Sequence, residues 1–166
     1  MTSSTRALVT NRFRASLRAV DRRWREFRAM SPADRKLFLR IWLMLGAVSV
    51  LLRVVGFQST RRFLARFLPA DRPVSSVSEQ AIADVRRLGS LARIAACNLP
   101  LNTSCLRQSL LVWWILCRRG MAAELRIGVK TGGEFSAHAW VELGGWSVND
   151  TDDVADRFNA FDHLHP

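Results

Sequence analysis

Residues 102–120 read NTSCLRQSLLVWWILCRRG, and residues 121–148 read MAAELRIGVKTGGEFSAHAWVELGGWSV. In the first segment, leucines and tryptophans lie three and four residues apart, which is typical of a helix with one buried face. In the second, runs in which apolar and polar residues alternate are separated by glycine-containing turns, which is typical of antiparallel strands. The order predicts a helix that leads into an antiparallel sheet.

Capping and turn residues set the boundaries of these elements. Thr103 or Ser104 caps the helix and Gly120 ends it, so Cys105 lies in its first turn. The predicted strands are residues 125–129, 135–143 and 146–148, with turns at 131–133 and 144–145.

Further helices are predicted upstream. Ser31-Pro32-Ala33-Asp34 opens the first, since serine caps a helix, proline suits its first turn and aspartate complements its dipole. This helix runs through the apolar stretch 41–52 and ends at Gly56. A shorter helix follows at 61–68 and stops before Pro69.

A third upstream helix begins at a capping box of Ser76 and Glu79. Its predicted buried stripe consists of Ile82, Val85, Leu88, Leu91, Ala92 and Ala95. The whole pattern predicts an α+β fold, in which a helical N-terminal half precedes a helix and an antiparallel sheet. We expect a basic extension at 1–30, a helical region at 31–76 and a core at 77–166.

The composition bounds the class of protein. The chain has 166 residues, of which 49% are hydrophobic and 23% charged, so a disordered or collagen-like polymer is excluded. Three irregularly spaced cysteines do not make a disulfide framework, which favours reduced thiols in the cytosol. No signal peptide is expected, because the first residues lack an uninterrupted apolar core.

The net charge of +11 is concentrated in the front of the chain. Residues 1–96 hold 19 Lys and Arg against 6 Asp and Glu, and residues 97–166 hold 6 against 8. Of the 25 basic residues 23 are arginine, which indicates either phosphate or carboxylate recognition or a genome that favours arginine codons.

The apolar helix has two interpretations. Only twelve residues separate Arg40 from Arg53, fewer than the roughly 20 needed to span a bilayer. Counting from Leu37 to Phe57 reaches that length if both arginines extend to the interface. The segment is therefore a core or partner-facing helix, or one that contacts a membrane.

Three residues have the chemistry of a catalytic triad. Cys105 lies at a helix start, where unpaired N–H groups favour a thiolate. His138 lies in a strand 33 residues later, and Asp150 follows it by 12. They could act as nucleophile, base and orienting acid. The alternatives are a core cysteine, a hydrogen-bonded strand histidine and an acidic turn.

Strand register tests this triad. A tight turn at Gly144-Gly145 places His138 opposite Thr151 and Asp150 on the other face of the sheet. A three-residue loop with a glycine bulge places His138 opposite Asp150. We predict the longer loop or an equivalent bulge.

The remaining thiols and imidazoles are predicted to be structural or solvated. We expect Cys97 and Cys117 in the core, and His163 and His165 in a solvated tail. No local pair has the spacing of metal ligands, so zinc is not expected.

Three segments resemble the transglutaminase-like cysteine peptidase of lasso-peptide biosynthesis, known as the B protein. They are Cys105–Leu110, Arg118–Val129 and Phe135–Glu142, and the weaker resemblance extends over roughly residues 45–150. It implies a transglutaminase/papain-like core with Cys105, His138 and Asp150 as catalytic residues. It also implies an antibiotic-biosynthesis hydrolase that removes the leader from a ribosomally made precursor.

The resemblance implies partners as well. No strand-rich stretch precedes the core, so the chain is similar to the split form, in which a separate leader-recognition protein holds the precursor leader peptide. An ATP-dependent, asparagine-synthetase-like lasso cyclase then closes the ring. No cofactor or metal is implied for this chain, and we expect a cytoplasmic location, with membrane contact through helix 37–57 as the alternative.

Two other functions fit the residues. The same triad serves transglutaminases and acyltransferases, in which an amine resolves the acyl-enzyme. A non-enzymatic basic adaptor could bind nucleic acid or an anionic membrane through residues 1–66. No aromatic or base-reading motif interleaves the arginines, so nucleic acid is not the expected partner.

Overall fold

The structure is a computed structural model that describes residues 31–69, 79–99, 104–130 and 136–161. The chain divides into two units between Leu39 and Arg40. In the first, the Ser31 hydroxyl accepts a hydrogen bond from the backbone N–H of Asp34 at 3.1 Å and donates one to its carboxylate at 2.9 Å. The predicted helix start is therefore confirmed.

Helix α1 spans Pro32–Ala65 and contains a break at Gly56, whose φ of 77° and ψ of 177° are not helical. The prediction that this glycine ends the helix and that a separate one covers 61–68 is therefore only partly right. The Thr60 hydroxyl donates to the Gly56 carbonyl at 2.7 Å, so helical structure resumes directly after the break. By length and composition α1 could cross a membrane, and 28% of its most apolar window is buried.

Helix α2 spans Glu79–Cys97 and buries the predicted stripe, apart from Ile82, which is half-buried. The expected cap Ser76 and the predicted boundary at 76/77 lie outside the described residues. Cys97 is exposed, which corrects its assignment to the core. The reason is its position on the helix face that also carries the exposed Ser90 and Arg93.

Helix α3 spans Cys105–Arg118 and is the most deeply buried element of the second unit. It ends as predicted at Gly120, whose φ of 77° suits glycine. The indole N–H of Trp114 donates to the carbonyl of Leu64 at 3.0 Å, which ties α3 to the end of α1.

The sheet has the strand order β3-β2-β1-β4, and all neighbouring strands are antiparallel. Its elements, with the short helix α4, are β1 (Ala123–Lys130), β2 (Ser136–Leu143), β3 (Trp146–Ser147), α4 (Val154–Arg157) and β4 (Asn159–Ala160). The α+β prediction is confirmed. The sequence did not predict α4 and β4, since two to four residues are too few to show a period.

The hairpin between β2 and β3 has the tight turn, so the predicted three-residue loop is wrong. Leu143 pairs with Trp146 and Glu142 pairs with Ser147. The turn residues Gly144 and Gly145 have φ angles of 58° and 84°. A tight turn that matches the strand twist requires two positive φ angles, and consecutive glycines adopt them without strain.

Candidate active site

His138 and Asp150 are in direct contact despite the tight hairpin. The imidazole Nε2 lies 2.5 Å from Oδ2 of Asp150, and both side chains are largely buried, with 24% and 21% of their surface exposed. The inference that this register separates the two residues is therefore wrong. Strand β3 ends at Ser147, and the last ladder bond runs from the N–H of Val148 to the carbonyl of Val141 at 2.9 Å. Beyond it the chain bends, so strand alternation no longer determines where Asp150 lies.

The second oxygen of Asp150 is also bonded. Oδ1 accepts the backbone N–H of Thr151 at 2.8 Å and an Arg157 guanidinium N–H at 3.3 Å. Burial raises the pKa of Asp150, but hydrogen bonds from His138 and from the Thr151 backbone outweigh it, and the pKa lies below its usual value. Asp150 is a carboxylate at neutral pH.

This contact assigns roles to the two imidazole nitrogens of His138. A carboxylate only accepts hydrogen bonds, so the nitrogen that faces Asp150, Nε2, carries a proton. In the neutral ring, Nδ1 then has the free lone pair. The arrangement therefore presents Nδ1 as the base.

Two aromatic rings hold the plane of the imidazole. The ring of Trp140, two residues along β2, lies at 6.3 Å between centroids and 15° between planes, and Phe158 lies at 5.0 Å. Trp140 is fully buried, and its indole N–H donates to Glu142 at 2.7 Å, which also accepts from Arg126 at 3.0 Å. Ring rotation at His138 is therefore restricted by packing.

Cys105 is the first residue of α3 and is half-buried. Its N-cap Ser104 has extended backbone angles and makes no side-chain capping bond. One turn after Cys105, the buried Ser109 hydroxyl donates to the carbonyl of Ala139 at 2.8 Å. This bond joins the first turns of α3 to the residue that follows His138.

Asn149, a residue with no predicted role, completes these connections. Its Oδ1 accepts the backbone N–H of Val141 at 2.9 Å, and its Nδ2 donates to the hydroxyl of Ser109 at 2.9 Å. Two sequence positions could have indicated a role at the site: Ser109 lies four residues after Cys105, and Asn149 directly precedes Asp150.

Cys117 is buried as expected, with Sγ 3.5 Å from the carbonyl oxygen of Ala123. His163 and His165 lie outside the described residues. Within residues 31–69, 79–99, 104–130 and 136–161, no three His, Cys, Asp or Glu side chains are grouped to hold a metal ion.

A cleft of about 560 Å³ lies between α2 and residues 147–152. The exposed side chains of Arg86 and Arg93 line it on the helix, and Asp150 lines it on the loop. Arg86 also donates to both carboxylate oxygens of Asp152 at 3.2 Å, which links α2 to this loop.

Comparison with protein families gives a match to the transglutaminase-like superfamily over residues 42–161. The chain belongs to this superfamily. Members of the transglutaminase-like superfamily are typically cysteine peptidases or acyltransferases, and the helix followed by an antiparallel sheet is consistent with their fold. No curated protein and no solved structure matches the chain.

Proposed function

We propose that this transglutaminase-like protein is the leader peptidase of a lasso-peptide pathway, with Cys105 as nucleophile, His138 as base and Asp150 as orienting acid. The observation that supports it most is the contact of Asp150 with Nε2 of His138, which leaves Nδ1 to act on a thiol. Superfamily membership and the position of Cys105 at the start of α3 add to it.

In the proposed reaction, the Sγ of Cys105 attacks the carbonyl carbon at the leader–core junction while its proton passes to Nδ1 of His138. The tetrahedral intermediate breaks its C–N bond, and His138 returns the proton to the leaving amine of the core peptide. Water then attacks the thioester, again giving a proton to His138, and the thiol is released as the leader carboxylate forms. The backbone N–H of Cys105 is a candidate donor to the oxyanion.

The proposal includes three partners. A separate leader-recognition protein presents the precursor leader peptide, and an ATP-dependent cyclase similar to asparagine synthetase consumes the freed α-amine. The reaction itself requires no cofactor on this chain, since thiol, imidazole and carboxylate supply the nucleophile and the proton transfers.

The exposed apolar face of α1 is the proposed docking surface for one of these proteins. Leu43, Val50 and Val54 lie on one side of the helix with 64%, 56% and 74% of their surface exposed. Under this proposal the protein is cytoplasmic. A membrane location is the alternative, since α1 is also long and apolar enough to span a bilayer.

Mass spectrometry of a reaction with synthetic precursor and recognition protein tests the function. Hydrolysis gives a leader and a core fragment whose masses sum to the precursor plus one water. An added primary amine distinguishes the second candidate, acyl transfer, which the superfamily match equally supports. In that case the leader fragment carries the amine instead of a free carboxylate. An intact precursor in both reactions would contradict the proposal.

A further inference from the structure

Asn149 has no charge and no nucleophilic group, but its amide joins three parts of the candidate site. It bonds β2 through the N–H of Val141, α3 through the hydroxyl of Ser109, and it directly precedes Asp150 in the chain. Ser109 passes the connection on to the carbonyl of Ala139 at 2.8 Å. The hydrogen bonds therefore reach β2 at the two residues on either side of Trp140.

The Asn149 side chain takes the place of a ladder bond. Opposite residues in a hydrogen-bonded antiparallel pair exchange two backbone bonds. Val148 donates its N–H to Val141, but the N–H of Val141 bonds to Oδ1 of Asn149. The carbonyl of Val148 instead lies against α2, where a Cβ on Gly89 would come within 2.4 Å of it. The Asn149 side chain thus accepts the hydrogen bond of the Val141 N–H at the point where the backbone after Val148 leaves the sheet.

The geometry points to Asn149 as a positioning residue for the proposed catalysis. Its amide fixes the bend that brings Asp150 to His138, and through Ser109 it holds the first turns of α3 against β2. The inference rests on the proposed role of Cys105, His138 and Asp150. Asn149 acts through these residues and is not itself a catalytic group.

The bonding pattern requires both ends of the amide. Oδ1 must accept from a backbone N–H and Nδ2 must donate to the Ser109 oxygen, because the hydroxyl proton is already directed to Ala139. An aspartate can accept but cannot donate, so it draws the Ser109 proton away from Ala139. It also places a second negative charge beside Asp150. We therefore expect Asn149→Asp to lower the reactivity of the Cys105 thiol almost as much as Asn149→Ala does.

Alkylation of Cys105 by iodoacetamide tests the inference without a peptide substrate. Rates are measured across the neutral pH range by mass spectrometry of the Cys105 peptide, and His138→Ala defines complete loss of the base. We expect Asn149→Ala and Ser109→Ala to lower the rate at neutral pH by about three- to thirtyfold, because an ordinary thiol is still a few per cent thiolate at pH 7 and is alkylated through that fraction.

Asn98→Ala is the matched control, because the Asn98 amide donates to the carbonyl of Ile94 at an exposed helix end. It should leave both the rate and its pH profile unchanged. A folded Asn149→Ala variant with the wild-type rate and pH profile overturns the inference. If that variant does not fold by circular dichroism, a wild-type rate and pH profile in Ser109→Ala overturn it.

Failure of the proposed function has a different signature. Alkylation that depends on His138 and Asn149, together with a precursor that stays intact, would contradict leader cleavage and support the positioning role.

Discussion

Gly89 of α2 lies so close to the backbone of residue 148 that a Cβ at position 89 would come within 2.4 Å of the Val148 carbonyl oxygen and 3.2 Å of the Asn149 Cα. The helix therefore supports the bend that carries Asp150. In most helices, replacing glycine by alanine stabilises by about 1 kcal/mol. At this position the added methyl group must displace backbone atoms.

Gly89→Ala should therefore lower activity by tenfold or more, on the order expected for a catalytic group displaced by about 1 Å. Cleavage rate and the midpoint of thermal unfolding are the measurements. Gly46→Ala is the control, since nothing lies within 4 Å of a Cβ at that helical glycine. Wild-type activity in a folded Gly89→Ala variant would contradict this account of the bend.

The lowered pKa of Asp150 predicts how stability depends on pH. A carboxyl whose folded pKa is below its unfolded value contributes stability above the unfolded pKa, near 4, and loses it as pH falls through the folded pKa. Denaturation of wild type and Asp150→Asn should therefore differ above about pH 4. The difference should shrink as pH falls further, where the carboxylate becomes protonated. A difference that stays constant or grows below about pH 4 would contradict the sign of the shift.

Trp140 is expected to contribute to stability through two separable interactions. Trp140→Ala removes a fully buried ring and should cost about 3–5 kcal/mol in the free energy of unfolding. Trp140→Phe keeps an aromatic ring but loses the bond to Glu142, and should cost less. Urea denaturation of both variants provides the comparison. Equal losses would show that ring packing is not the larger contribution.

Part of this site follows from local sequence rules and part does not. The position of Cys105 at a helix start was predictable from the polar residues that precede it and from the glycine that ends α3, although Ser104 at the N-cap makes no side-chain capping bond. The partnership of His138 with Asp150 was predicted, but by the wrong route. The predicted pairing continued the ladder beyond Ser147, whereas β3 has only two residues. At the bend, Asn149 and Gly89 make close contacts with distant segments, and periodicity cannot reveal such contacts.

Other errors have a similar origin. Cys97 was assigned to the core from its residue type, but its side chain is exposed because it lies on the solvent-facing side of α2. Gly56 interrupts the helix as expected, but helical structure resumes directly beyond it, whereas the separate helix was expected only from residue 61. The type of one residue thus predicted the break but not where the next helix begins.

The docking surface on α1 gives a prediction that is independent of catalysis. Leu43→Asp and Val54→Asp place charges on exposed apolar positions, so the core should be unaffected while co-purification with the recognition protein or cyclase weakens. Cys105 alkylation should be unchanged in both variants. Vesicle flotation with neutral and anionic lipids tests the membrane alternative. Undiminished co-purification would argue against this surface.

The central claim is that the Cys105 thiolate breaks a peptide bond. Its most direct test is the cleavage of a synthetic precursor by wild type, Cys105→Ala and Cys97→Ala, with products weighed by mass spectrometry. Cys97 is the matched control, since its thiol is exposed on α2 outside the site. We predict cleavage at the leader–core junction by wild type and Cys97→Ala, and none by Cys105→Ala. Cleavage by Cys105→Ala at the wild-type rate would contradict the claim.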